Sequence, residues 1–97
     1  MPLYIILGKF TDEGIKTIKE SPKRVEEQRI AVEKAGGKFH GFYYTMGEYD
    51  FVSLVEVPSD EVAMTLLFSL GRIGRVRTTT LKAFPVQEVA KLLEKLP

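Results

Sequence analysis

Three polar side chains of one predicted β-hairpin are the best candidates for chemistry in this sequence. His40, Tyr44 and Ser53 supply an imidazole, a phenol and a hydroxyl, and strand alternation places all three on one face. Phe42 and Phe51 share that face and would form an apolar wall. Such a group could orient a mostly apolar ligand or exchange a proton. The simpler interpretation is that His40 is a hydrogen-bonded or solvated residue near a strand end.

A second candidate group consists of three arginines that lie close together in the chain, Arg72, Arg75 and Arg77. Guanidinium groups bind carboxylates or phosphates bidentately, so the cluster is a weak candidate for anion binding. The alternative is structural, because basic residues near a helix C-terminus complement the helix dipole. Gly71 and Gly74 follow a helix instead of opening one, so they do not predict a phosphate-binding loop.

The sequence predicts no metal site and no cofactor. It has one histidine and no cysteine, which is too few nitrogen and sulfur ligands for a typical metal site. Haem held by His40 as a single axial ligand stays open, because haem ligation needs only one protein donor. No catalytic residue is assigned, since no arrangement of base, nucleophile and oxyanion donors can be read from the sequence.

The hairpin is predicted from two strand-like segments, residues 38–46 and 49–57, that flank Gly47-Glu48. A two-residue loop with glycine in first place fits a type II′ turn. The resulting register pairs Met46 with Tyr49, Tyr44 with Phe51, Phe42 with Ser53, and His40 with Val55. A slip of one residue would change these partners and could exchange the two faces.

The other elements follow from local patterns. An apolar strand at 3–10 should be central in a sheet, and a helix capped by Thr11 should break at Ser21-Pro22, with Ser21 capping the second piece. A helix capped by Ser59 is apolar nearly all round from Val62 to Leu70, so it needs cover on more than one side. A strand at 75–84, whose threonines could line a cavity, precedes a last helix that begins at Pro85.

The element order β-α-β-β-α-β-α predicts an α+β, ferredoxin-like fold with an extra C-terminal helix. Its four-stranded antiparallel sheet would have helices on one face. Because both hairpin faces carry large apolar residues, we expect the open face to pack against a second copy of the chain. Two such sheets would form an eight-stranded dimeric α+β barrel, wide enough for side chains or one small ligand.

Composition limits the class of protein. The 97 residues correspond to one domain, 1–97. The net charge of +1 argues against nucleic-acid binding driven by bulk charge. No apolar run has the length of a membrane span, and the first residues do not resemble a signal peptide. We therefore expect a cytoplasmic protein that binds neither nucleic acid nor membrane.

The segment Met46–Val52 resembles the GYD domain family, whose Gly-x-Tyr-Asp core corresponds to Gly47, Tyr49 and Asp50. The preceding strand–helix pattern and residues 74–78 are also similar, so the resemblance extends from Leu3 to Val89. It implies a dimeric α+β barrel, a superfamily with cofactor-free monooxygenases, isomerases, haem enzymes and ligand-sensing domains. The GYD family itself implies no known activity, and it transfers no catalytic residue.

Three functions remain open at this level. The first is a homodimer that binds a small molecule. The second is a cofactor-independent monooxygenase or isomerase that acts on an aromatic or quinone-like substrate. The third is a structural or interaction module whose barrel is filled by its own side chains. Fold analogy alone does not decide among them.

Overall fold

The computed structural model describes residues 1–97, which form four strands and four α-helices. The strands are β1 (Leu3–Phe10), β2 (Lys38–Tyr44), β3 (Phe51–Glu56) and β4 (Val76–Ala83). The α-helices are α1 (Asp12–Lys16), α2 (Ser21–Lys34), α3 (Asp60–Ile73) and α4 (Val86–Leu93), and a 3-10 turn at Ile18–Glu20 joins α1 to α2.

The strands form one antiparallel sheet in the order β2-β3-β1-β4. Strand β1 is central, as its continuous apolar run predicts. The ferredoxin-like order of elements and the additional C-terminal helix are therefore confirmed.

The first helical segment is interrupted where the proline predicts it. Thr11 accepts a hydrogen bond from the amide of Gly14 at 3.2 Å and caps α1, and Pro22 lies in the first turn of α2. The predicted cap by Ser21 is wrong, because Glu20 precedes α2 and no side chain caps it. The Ser21 hydroxyl instead lies 2.8 Å from the hydroxyl of Tyr44 on β2.

The β2–β3 hairpin keeps only part of the predicted register. Tyr44 pairs with Phe51, as expected, but a bulge between Phe39 and Gly41 places Phe39 opposite Val55. The predicted pairing of His40 with Val55 is therefore wrong. The extra residue of a bulge shifts the alternation of the strand.

The loop of this hairpin is longer than the predicted two residues. It spans residues 45–50 and is closed by a 2.8 Å hydrogen bond from the amide of Thr45 to the carbonyl of Asp50. Gly47 has the expected positive φ, +117°, a conformation that side chains with a Cβ rarely adopt.

Helices α2 and α3 cover one face of the sheet. Phe51 is 2% exposed on this face, and Tyr4, Val55 and Val57 are also buried there. The side of the hairpin that carries Phe42, Tyr44 and Phe51 therefore packs toward the helices of its own chain and does not line the space between two facing sheets.

The opposite side of the sheet carries no helix, and we call it the open face. Its apolar side chains are half-buried or exposed, including Tyr43 at 60% and Leu81 at 46%. The strand register assigns seven large apolar residues to it: Leu3, Ile5, Leu7, Tyr43, Val52, Leu54 and Leu81. A contiguous apolar surface of this kind is typical of an interaction site.

Apolar residues are also exposed on two helices. On α3, Met64 and Phe68 are more than half exposed, which agrees with the prediction that this helix is apolar on more than one side. Helix α4 makes few contacts with the rest of the chain, and Val86, Leu92 and Leu93 on it are exposed. A single copy of the chain therefore leaves both helices only partly covered.

Candidate functional site

A cavity of about 240 Å³ lies between the sheet and the helices α2 and α3. It exists because the two helices pack on the sheet and make little contact with each other. Most of the residues around it are hydrophobic. Small side chains on the helices, including Ser21, Ala31 and Ala63, also leave the space between them unfilled.

Aromatic rings form the end of the cavity nearest the hairpin. The rings of Phe42 and Phe51 are stacked with centroids 4.8 Å apart, and Phe10 lies 5.6 Å from Phe51. The Phe51 ring lies over Gly8, whose absent Cβ would come within 1.9 Å of it. The absence of a side chain at Gly8 thus leaves room for the end of the Phe51 ring against β1.

The polar group at the centre of the floor is the hydroxyl of Ser53. Ser53 is 3% exposed and lines the cavity. Its register partner Ile6 separates it from Thr80 on β4, which also lines the cavity. Neither hydroxyl forms a hydrogen bond within the protein, and both are open to the cavity, because no fully buried side-chain polar atom lacks a partner. Both are therefore available to a molecule in the cavity.

The five predicted ligand-binding residues are only partly brought together. Phe42, Phe51 and Ser53 line the cavity, whereas His40 and Tyr44 do not. Tyr44 is connected to the cavity indirectly, through the 2.8 Å hydrogen bond to Ser21.

His40 lies elsewhere because the bulge changes its direction. Its Nε2 is 2.6 Å from Oε1 of Glu56, at the far end of β3, and this hydrogen bond lowers the pKa of Glu56 below its usual value. The cavity consequently contains no imidazole, since the chain has one histidine. The simpler interpretation of His40 as a hydrogen-bonded residue near a strand end agrees with this placement.

Only one of the three predicted anion-binding arginines lines the cavity, namely Arg75. Arg77 donates to the carbonyl oxygen of Gly71 at 2.9 Å, and Arg72 lies in the last turn of α3. These two positions fit the structural role of basic residues at a helix C-terminus. At the cavity wall, Arg24 joins Arg75 and forms an ion pair with Glu20 at 3.2 Å.

A polar contact that sequence reasoning missed closes the other end of the cavity. The hydroxyl of Tyr4 donates to Asp60, which also accepts from Lys82 at 3.2 Å. These hydrogen bonds hold the pKa of Asp60 below its usual value. Burial, together with the neighbouring carboxylate, raises the pKa of Tyr4 to about 12. The two residues are 56 positions apart, so no local pattern in the sequence indicates the contact.

The Gly-x-Tyr-Asp motif has a structural role in this fold. The carboxylate of Asp50 accepts a hydrogen bond from the amide of Phe10 at 2.8 Å, and the Asp50 amide donates to the carbonyl of Gly8 at 2.8 Å. Lys9 lies 5.4 Å from the centre of the Tyr49 ring. The motif thereby ties the hairpin loop to the end of β1.

Two further features bear on the kind of site. No group of three or more histidine, cysteine, aspartate or glutamate side chains is arranged to hold a metal ion. None of the helices combines the length and the apolar character that crossing a bilayer requires.

Two solved structures share the fold. FFRP-DM1 aligns with a TM-score of 0.61 at 19% identity and covers 87% of this chain and all of its own. The Arabidopsis thaliana protein At3g17210 aligns with a TM-score of 0.53 at 15% identity and covers 89% of this chain and 96% of its own. At such low identity these similarities describe the architecture alone.

Comparison at the level of sequence is more specific. A curated protein of Thermus thermophilus, named "Glutamine synthetase and cystathionine beta-lyase binding protein", is 33% identical over 95 residues, which are 97% of this chain and all of the relative. The profile of the GYD domain matches residues 4–93, which include the Gly47–Asp50 motif. The chain therefore belongs to the GYD domain family.

Proposed function

We propose that this protein is a homodimeric binding protein of the cytoplasm, in which the open face of one copy packs against that of another. The main support for a dimer is the row of apolar side chains across the sheet face that no helix covers. On that face, Leu81 is 46% and Tyr43 is 60% exposed in a single chain. A second copy offers the same surface, as a two-fold interface requires. We expect a total buried area on the order of 1,600 Å² or more.

The partner of the dimer is proposed to be another protein. The whole-length relative at 33% identity is named for binding glutamine synthetase and cystathionine beta-lyase, and we propose that this chain binds an enzyme of that kind. The exposed residues Met64 and Phe68 on α3 lie on a helix that packs on the other side of the sheet. A dimer formed through the open face leaves them accessible, so they are the proposed contact with the enzyme.

Small-molecule binding is the second candidate, and the cavity between helices and sheet favours it. Three of the residues that the sequence predicts for a ligand, Phe42, Phe51 and Ser53, lie around that space. This site is inside one chain, on the side of the sheet that faces the helices. It is therefore compatible with a dimer formed through the open face.

Two matched variants test the dimer and the protein partner separately. Leu81→Asp adds a carboxylate to the open face, and Met64→Asp adds one to α3 at a position of similar exposure. Because an unpaired carboxylate resists burial, Leu81→Asp should convert a dimer into a monomer in sedimentation velocity. Met64→Asp should stay dimeric.

Binding to purified glutamine synthetase and cystathionine beta-lyase of the same organism is then measured by biolayer interferometry. The wild type should bind at least one of the two enzymes, and Met64→Asp should bind it more weakly. A wild type that sediments as a monomer at micromolar concentration would contradict the dimer. Absence of binding to both enzymes at about 100 μM would contradict the protein partner.

A further inference from the structure

We infer that the cavity between α2, α3 and the sheet binds a bicyclic aromatic molecule, or one of similar size, that carries a hydroxyl or carbonyl group. The inference rests on the small-molecule candidate of the proposed function and specifies its ligand. It does not depend on the dimer or on a partner enzyme.

The size of the ligand follows from the volume of the cavity. An engineered apolar cavity of about 150 Å³ holds benzene, and this cavity is about 240 Å³. In proportion, it has room for about ten non-hydrogen atoms. This is the size of a two-ring aromatic molecule.

The walls favour an aromatic compound. The stacked rings of Phe42 and Phe51 and the neighbouring ring of Phe10 can accept another ring in offset or edge-to-face contact. Aliphatic side chains from α3, such as Leu66 and Leu67, line the wall on the helix side. The charged side chains that line the cavity are Arg24, Arg75 and Glu27, and Arg24 is already paired with Glu20.

The polar group of the ligand is assigned to Ser53. Ser53 is 3% exposed and lies at the cavity floor. Its hydroxyl has no hydrogen-bond partner within the protein. The hydroxyl is open to the cavity, because no fully buried side-chain polar atom of the protein lacks a partner. A hydroxyl or carbonyl oxygen of the ligand would satisfy it, since a serine both donates and accepts.

The probe for the test is 2-naphthol, a bicyclic phenol, and naphthalene is its matched control without the hydroxyl. Binding is followed by NMR titration of the labelled protein. We expect saturable binding of 2-naphthol, with the amide signals of Phe42, Phe51 and Ser53 shifting most. Ser53→Ala should weaken 2-naphthol binding about 3–10-fold and leave naphthalene unchanged.

Stability separates a ligand contact from a structural role of Ser53. Because the hydroxyl has no partner in the protein, Ser53→Ala should leave the urea midpoint unchanged or raise it. A lower midpoint would show that Ser53 supports the fold and would overturn its assignment to the ligand. An unchanged affinity for 2-naphthol would overturn it as well.

The place of binding is tested with a blocking variant. Ala31 lines the cavity from α2 and is exposed, so Ala31→Phe can enlarge the side chain without burying it under strain; Ala31→Leu is a milder version. Both should reduce binding, whereas Ile30→Phe, at the neighbouring position outside the cavity, should not. Equal binding by Ala31→Phe and wild type would overturn this location.

Native mass spectrometry separates failure of the ligand class from failure of small-molecule binding. The protein is isolated from its own host as wild type and as Ala31→Phe. If the wild type binds no 2-naphthol but retains a molecule that Ala31→Phe lacks, small-molecule binding stands and the inferred class is wrong. If it binds no 2-naphthol and retains nothing, both are wrong. Sedimentation of the same sample reports the dimer independently.

Discussion

Replacement of Gly8 by alanine tests how closely the Phe51 ring packs against β1 at the floor of the cavity. A Cβ at Gly8 would lie 1.9–2.4 Å from three atoms of the Phe51 ring. That ring is 2% exposed and is held between Phe10 and Phe42, so it cannot move without displacing its neighbours. The most open direction is upward into the cavity.

The expected cost follows from these contacts. Inserting one methyl group into a packed core costs about 1–3 kcal/mol. Gly8 does not have a positive φ, so the backbone itself tolerates alanine, which regains about 0.5–1 kcal/mol relative to glycine in a strand. We therefore expect Gly8→Ala to lower the free energy of unfolding by about 1–2 kcal/mol.

Gly71→Ala is the matched control, because the same methyl group there meets nothing within 4 Å. Gly71 lies inside α3, where alanine is about 1 kcal/mol more favourable than glycine. Gly71→Ala should thus stabilise the protein, whereas Gly8→Ala should destabilise it.

The assay is urea denaturation of both variants and the wild type at one protein concentration, since self-association makes apparent stability concentration-dependent. In addition, 2-naphthol affinity should fall in Gly8→Ala and stay unchanged in Gly71→Ala. A stability of Gly8→Ala equal to or above that of the wild type would refute the close contact between Gly8 and the Phe51 ring.

Three further predictions concern the hairpin loop, the family motif and the contact between Tyr4 and Asp60. Gly47→Val should destabilise by about 1–3 kcal/mol, because Gly47 has a φ of +117°; an unchanged melting temperature would argue against that strain. Asp50→Ala should cost about 1–3 kcal/mol, because it leaves the amide of Phe10 without its acceptor; hydrogen exchange of that amide should accelerate, and undiminished protection would count against the role. Tyr4→Phe removes the hydroxyl that lowers the pKa of Asp60. The wild type has the associated stability above the ordinary aspartate pKa of 3.8 and loses it as the pH falls through the lowered value, so the variant should lose less stability on acidification; parallel acid-unfolding profiles would refute this.

The order of elements was predictable from the sequence because its signals are local. Gly47 marks the loop, Pro22 marks the break between α1 and α2, and Ser59 caps α3, where its side chain accepts from the amide of Val62. Each of these depends on residues within a few positions. The register near the loop is equally local, which explains why Tyr44 lies opposite Phe51 as predicted.

The site was less predictable because it depends on two features that local patterns do not specify. The bulge that removes His40 from its expected face is signalled only by Gly41, since a glycine inside a strand often marks a bulge. Both hairpin faces are apolar, so the hairpin sequence alone does not determine which face packs against the helices. The missing side chain of Gly8 admits the Phe51 ring on the helix side, and that contact joins residues far apart in the chain.

The cavity depends on packing at still longer range. It is present because α2 and α3 pack on the sheet without closing over Ser53, and alternation along one strand carries no information on the separation of two helices. The hydroxyl that the sequence places among aromatic residues is nevertheless the polar group at the floor. The sequence thus predicted part of the cavity lining. Only the structure shows on which side of the sheet the cavity lies.

The most direct test of self-association through the open face is isotope-filtered NMR of a dimer reconstituted from labelled and unlabelled copies. Nuclear Overhauser effects between copies should connect the methyl groups of Leu54, Leu81 and Ile5, and none should involve Phe51 or Ser53 on the helix side. Contacts between copies that arise only from α2 or α3, or a complete absence of contacts between copies in a sample that sediments as a monomer, would contradict the proposed dimer.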